Sequence, residues 1–246
     1  MSGFGEGFTV RNFGNAQTGF GSGFDRPSSL IPTSGLLLNL DASNAASYPG
    51  SGATWYDLAD SPVANNATLI NSPTYSSANG GFFTFDKVSS QSASVSGTGV
   101  VPSAAYTKAV WFKLTDIASD NNIVSSETGG HFMYFAGTAK MYNGHSNWVG
   151  FTQYPSTMNF TAGVWYFAVL TYTTADGMKL YVNGVLDSTY TANKTPHAGD
   201  GSTNIGRYSI GNFINGSVAQ VLTYDRAITA DEATAIYNST KARFGL

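Results

Sequence analysis

Thr107-Lys108-Ala109-Val110-Trp111-Phe112-Lys113-Leu114 decides the fold class. Lys108, Val110, Phe112 and Leu114 alternate with Ala109, Trp111 and Lys113, the period of two that sends successive side chains to opposite faces of a strand. Both sets carry large apolar residues, so this strand is expected in the middle of a sheet that is covered on each side. Shorter runs of the same kind surround it. Leu36 to Leu40, Phe82 to Phe85 and Ser92 to Ser96 read as strands before it. After it come Asn122 to Ser125, His131 to Phe135, Thr138 to Tyr142, Trp148 to Phe151, Val164 to Thr173, Met178 to Val182, Val185 to Tyr190 and Ser217 to Tyr224. Between the runs stand Asn79-Gly80, Asn143-Gly144, Asp176-Gly177, Asn183-Gly184, Asp200-Gly201 and Asn215-Gly216. These dipeptides accept the positive φ of tight hairpin turns. Strands joined by tight turns are antiparallel, and this many of them predict an all-β, two-sheet sandwich. One segment departs from the pattern. Thr229-Ala230-Asp231-Glu232 fits a capping box, with Thr229 as N-cap, and the residues that follow suit a short C-terminal helix.

Composition narrows the function. The 246 residues carry 12 Lys+Arg against 15 Asp+Glu, and only 11% are charged. Solubility then rests on Ser, Thr, Asn and Gly, and nucleic acid is an unexpected partner because no basic footprint exists to displace phosphate counterions. No stretch reaches the roughly 18 apolar residues of a membrane span. Zero cysteine removes disulfides, thiolate metal sites and cysteine nucleophiles. MSGFGEGFTV at the start has neither the basic nor the apolar region of a secretory signal, which points to synthesis in a host cytoplasm.

Residues 1–34 differ from the rest and are read as an extended docking arm, with one domain over residues 35–246. Gly-Phe-Gly-x-Gly-Phe occurs there twice, as Gly3 to Phe8 and Gly19 to Phe24. A linker meant only for reach would lack aromatics. Phe4, Phe8, Phe13, Phe20 and Phe24 are therefore candidate anchors in pockets of another protein. An arm folded back over its own domain, or a disordered leader, is the alternative.

From Gly35 onward the order of motifs resembles the laminin G-like, concanavalin A-like lectin-glucanase jelly rolls, especially the bacteriophage structural branch. The residues that carry the resemblance are Trp55-Tyr56-Asp57-Leu58, Ala67 to Tyr75, Phe83-Thr84-Phe85-Asp86, Trp165 to Val169, Leu180 to Gly184, Ile205-Gly206-Arg207 and Asn215 to Ile228. The resemblance implies two curved antiparallel sheets with an outer face free to bind glycan or protein, and in some branches glycan cleavage. Cleaving relatives place two Glu close together on one strand. This chain has Glu6, Glu127 and Glu232 alone, with no such pair, so no enzyme activity is expected. His131, His145 and His197 lack metal-ligand spacing, and His145 and His197 read as solvated loop residues. Many relatives hold calcium at the rim, where Asp41, Asp57 and Asp60 could contribute. Such relatives often carry an Asp near the positions of Val218, Ala219 and Gln220, so calcium is a weak expectation and no other cofactor is implied.

Sugar recognition needs aromatic faces beside amides and hydroxyls. Tyr142, Asn143, Asn147, Trp148 and Tyr154 supply them within one short segment and are the candidate glycan-binding residues. The alternative is that these aromatics are core packing, as Trp111 and Trp165 are read to be. Two functional readings stand together: a non-enzymatic phage virion surface protein, as capsid decoration, head fibre or tail appendage, oligomeric and held to other virion proteins by its arm; or a lectin that adheres to cell-surface glycans.

Overall fold

The computed structural model describes residues 31–61, 64–97, 99–127, 130–146, 151–192, 195–197 and 201–246. Their strands are β1 (Leu36–Asp41), β2 (Thr54–Trp55), β3 (Ala67–Ile70), β4 (Thr74–Ser76), β5 (Phe82–Phe85), β6 (Ser92–Ser96), β7 (Ala105–Leu114), β8 (Asp120–Asn122) and β9 (Val124–Ser126). There follow β10 (His131–Ala136), β11 (Met141–Ser146), β12 (Phe151–Pro155), β13 (Tyr166–Thr173), β14 (Gly177–Val182), β15 (Val185–Tyr190), β16 (Ser202–Ile205), β17 (Gly216–Tyr224) and the helix α1 (Ala230–Thr240).

All the sheet pairings between these strands are antiparallel, and they build the expected sandwich. One sheet has eight strands in the order β15-β14-β13-β7-β17-β5-β4, with β1 also on β17. β7 lies between β13 and β17, the central place its two apolar faces demand. The opposite layer has two parts, β12-β11-β10-β8 and β2-β3-β6-β16-β9. They join through β8 and β9, which are consecutive in the chain: β8 pairs with β10 and β9 with β16. Ile123 N–H to Met133 O at 2.9 Å keeps the junction hydrogen-bonded.

Tyr106, Val110, Phe112 and Leu114 point into the core between the layers, with Phe83, Phe135, Leu170 and Ile205. Ala109 and Trp111 point the other way, into a second cluster under α1. Trp111 is fully buried, stacks on Phe244 at 4.2 Å and donates its indole N–H to Thr240 at 2.8 Å. The capping box forms as the sequence predicts: Glu232 N–H donates to Thr229 Oγ1 at 3.1 Å, and Glu232 accepts from Thr229 N–H at 2.7 Å.

The turn dipeptides divide. Asn183 and Gly184, at φ 52° and 79°, close the two-residue hairpin between β14 and β15. Asn143-Gly144 is not a turn. Both residues lie inside β11, paired to β10 on one side and β12 on the other. Gly144 is required there by crowding, since a Cβ would sit 2.0 Å from Thr152 O and 2.6 Å from the Phe132 ring. Asn215-Gly216 likewise is not a tight turn, because Gly216 begins β17 between β5 and β7. The run expected from Thr138 starts only at Met141, and the run expected from Trp148 is observed from Phe151.

Candidate functional site

The alternation along β10 sorts its residues. His131, Met133 and Phe135 face the core, whereas Phe132, Tyr134 and Ala136 lie on the outer side of the layer. Cross-strand register places Asn122 of β8 on one flank of Tyr134 and Tyr142 of β11 on the other. The Tyr134 ring lies 5.6 Å from both Phe132 and Tyr142, and its hydroxyl donates to Gln153.

A loop from β16 to β17 forms the opposing wall. Tyr208 and Gly211 exchange backbone hydrogen bonds at 3.1 and 3.0 Å, and Ser209 and Asn212 take positive φ, so the segment is a tight finger. The Asn122 side chain donates to Asn212 O at 2.9 Å and tethers this finger to β8. Strand and finger enclose a cleft of about 290 Å³ lined by Asp120, Asn122, Phe132, Tyr134, Ala136, Tyr208 and Asn212. Burial, then the nearby Asp120 carboxylate, then Tyr142 push the Tyr134 pKa upward, so its phenol stays a neutral donor. The cleft thus combines aromatic faces with an amide and a carboxylate, the groups that receive a small polar ligand with apolar faces.

Next to the finger, Glu127 Oε2 accepts from Asn204 at 2.8 Å, Arg207 at 3.2 Å and Ser202 at 3.3 Å. These bonds fix the base of the finger and occupy Glu127.

Of the residues singled out from sequence, Tyr142 lies on the outer face beside the cleft. Asn143 does not: it is fully buried, because the alternation of β11 turns it inward. Tyr154 packs against the core and stacks on Tyr190 at 4.4 Å and 12°. Asn147 and Trp148 lie outside the described residues, as do Phe4, Phe8, Phe13, Phe20 and Phe24. Trp111 and Trp165 are core residues as expected. Asp120, Asn122, Phe132, Tyr134, Tyr208 and Asn212 were not singled out. The period-two run at His131 to Phe135 contained the signal for Phe132 and Tyr134, but not which face the core would cover.

The histidines correct another expectation. His145 and His197 are not solvated: they are 2% and 3% exposed and cluster with His131 between the layers. Lys108 Nζ, equally buried, lies 3.3 Å from His131 Nδ1 and 3.3 Å from Val124 O. Tyr106 OH lies 3.3 Å from His145 Nδ1. Burial, reinforced by Lys108, His197 and His145, holds the His131 pKa well below its usual 6.5. Burial also pushes Tyr172 up to about 12.

Among the described residues no three His, Cys, Asp or Glu group to hold a metal. Asp41 accepts from Ser43 at 2.8 Å and from Arg243 at 3.0 Å, and Asp57 accepts from the N–H groups of Asn39, Ala59 and Asn65. Both carboxylates are spent on tying loops to the sheet.

The sequence profile of the laminin G type 3 family, described as the concanavalin A-like lectin/glucanases superfamily, matches residues 85–234. The chain belongs to this superfamily. No curated protein sequence matches it. Solved structures similar to this concanavalin A-like domain include the binding domain of botulinum neurotoxin DC in complex with SialylT, at 12% identity and a TM-score of 0.66, covering 85% of this chain and 52% of that one. The same toxin's binding domain in complex with rat synaptotagmin II has 12% identity and a TM-score of 0.64, with 84% and 52% covered. Trypanosoma rangeli sialidase in complex with the inhibitor DANA has 14% identity and a TM-score of 0.62, with 84% and 33% covered. The chain thus spans about half the length of the toxin binding domains. At these identities the likeness is one of fold.

Proposed function

We propose that this concanavalin A-like domain binds glycans without cleaving them, through the cleft between β10 and the Tyr208 finger. The observation that carries the reading is the convergence of the Phe132, Tyr134 and Tyr208 rings with Asp120, Asn122 and Asn212 around about 290 Å³. Pyranose rings present apolar C–H faces to aromatics and hydroxyls to amides and carboxylates. The neurotoxin complex with SialylT and the sialidase complex with DANA support sugar recognition as a use of this architecture. Binding rather than hydrolysis is supported by Glu127, whose Oε2 is taken up by hydrogen bonds from Arg207, Asn204 and Ser202, and by the lack of a second Glu near it in sequence. A glycan microarray probed with the full chain and with Tyr134→Ala tests the reading. Specific binding lost in the variant is expected; binding that Tyr134→Ala leaves intact would move the site elsewhere.

A second reading completes the first. The repeated Gly-Phe-Gly-x-Gly-Phe of residues 1–34 favours an arm that docks on a larger particle, with the domain displayed on a virion surface as a phage structural protein. A glycan-binding domain carried on such an arm would hold the particle to a cell surface. Deleting residues 1–34 is expected to abolish incorporation into particles while sugar binding persists, and normal incorporation of the truncated chain would refute this role.

A further inference from the structure

We infer that the cleft selects uncharged sugars and rejects anionic ones. The inference rests on the glycan-binding reading above and adds the charge class of the ligand.

Among the described residues Asp120 is the charged side chain lining the cleft. It is exposed, and no described group donates a hydrogen bond to its carboxylate, which is therefore open to sugar hydroxyls. Its charge also reaches into the cleft, where it contributes to the raised pKa of Tyr134. Two cations on adjoining segments are paired with carboxylates of their own. Lys87 donates to Ser119 at 2.5 Å and pairs with Asp116 at 3.9 Å. Arg207, immediately before Tyr208, is paired with Glu127 at 3.2 Å. The other lining groups are neutral: amides from Asn122 and Asn212, phenols from Tyr134 and Tyr208, and the Phe132 ring.

A ligand carboxylate or sulfate would enter this cleft with no cation among its described lining residues and with Asp120 opposing it. Asp120 is exposed, so at about 8 Å and an effective dielectric between about 20 and 80 that repulsion corresponds to a roughly two- to thirtyfold loss of affinity. A neutral pyranose meets no such penalty and gives its hydroxyls to the same carboxylate.

The test uses the full chain on immobilised neutral oligosaccharides, each paired with the same oligosaccharide capped by sialic acid. Within each pair that binds, the neutral member is expected to be held roughly two- to thirtyfold more tightly at low salt. Asp120→Asn, which removes the charge and leaves one accepting oxygen, is expected to weaken neutral binding through the lost acceptor and to narrow the gap between the two members of each pair. Equal or tighter binding of the sialylated members would overturn the inference, as would a gap that Asp120→Asn leaves unchanged. Tyr134→Ala separates the two levels: binding of either member that survives it, or no binding anywhere on the panel, refutes the site itself and the inference with it.

Discussion

Replacing Gly144 by alanine adds one methyl group at the point where the fold and the cleft depend on the same contact. The new Cβ would lie 2.0 Å from Thr152 O and 2.6 and 2.7 Å from two atoms of the Phe132 ring. Carbon needs about 3.5 Å or more from such neighbours, so β12 must move away by over an ångström or Phe132 must swing out. The carbonyl cannot rotate clear, because it belongs to a strand paired with β11. Overpacking of this kind costs about 1–3 kcal/mol. Alanine recovers about 0.5–1 kcal/mol of chain entropy relative to glycine, which leaves a net loss of about 2 kcal/mol when the collision is at the upper end. For a domain of this size that is roughly 4–8 °C in Tm. Since Phe132 lines the cleft, sugar affinity should fall with stability. Gly211→Ala, in the finger itself, meets nothing within 4 Å and serves as the control, expected within about 0.5 kcal/mol of the parent. Thermal unfolding followed by circular dichroism, with glycan binding measured below the transition, makes the comparison. If Gly144→Ala melts with the parent, or no lower than Gly211→Ala, the crowding argument is wrong.

Trp111→Phe should cost about 1 kcal/mol more than Trp55→Phe in urea unfolding. Both rings are fully buried, but only Trp111 has a described indole partner, Thr240, to lose; equal midpoints would count against it. Acidification should weaken the fold through His131. Its folded pKa lies below the 6.5 of the free side chain, so the unfolded chain takes the proton first, and the penalty is absent above pH 6.5 and grows as pH falls below it. The Thr229–Arg226–Glu232 cap acts in a separate window, because Arg226 holds Glu232 at about 2 against 4.5, so its contribution is intact above pH 4.5 and is lost as pH falls toward 2. Chemical denaturation at pH 7.5 and 5.5 should therefore show a drop in stability that is smaller in His131→Gln, and an equal drop in that variant would exclude His131 as its source.

How a local pattern fared depended on how local its cause was. Asn183-Gly184 reads correctly as a turn because the conformation is set within the dipeptide and its two flanking strands. Asn143-Gly144 carries the same letters and sits mid-strand, since its glycine answers to Phe132 and Thr152 rather than to its own φ. His145 beside Gly144 and His197 after Pro196 look like loop residues in isolation, yet β11 and the packing around Tyr106 bury both. Within the candidate segment, alternation alone separates Tyr142 from Asn143, and only the position of the core says which of them is outside.

By itself, then, the sequence determined the elements whose energetics are local or two-sided: the central strand β7, apolar on both faces; the capped helix; and the short hairpins. It also determined the family, because the order of motifs from Phe85 to Thr234 is a property of the chain. Tertiary structure decided the site. Asp120 and Asn122, Phe132 and Tyr134, and Tyr208 and Asn212 come from three separated segments that meet only when β8 and β10 pair and Asn122 reaches across to Asn212. A period of two states that neighbouring side chains face opposite ways, but the burial of one face against the other layer is a long-range event. That event turned His131 inward and left Tyr134 at the mouth of a cleft.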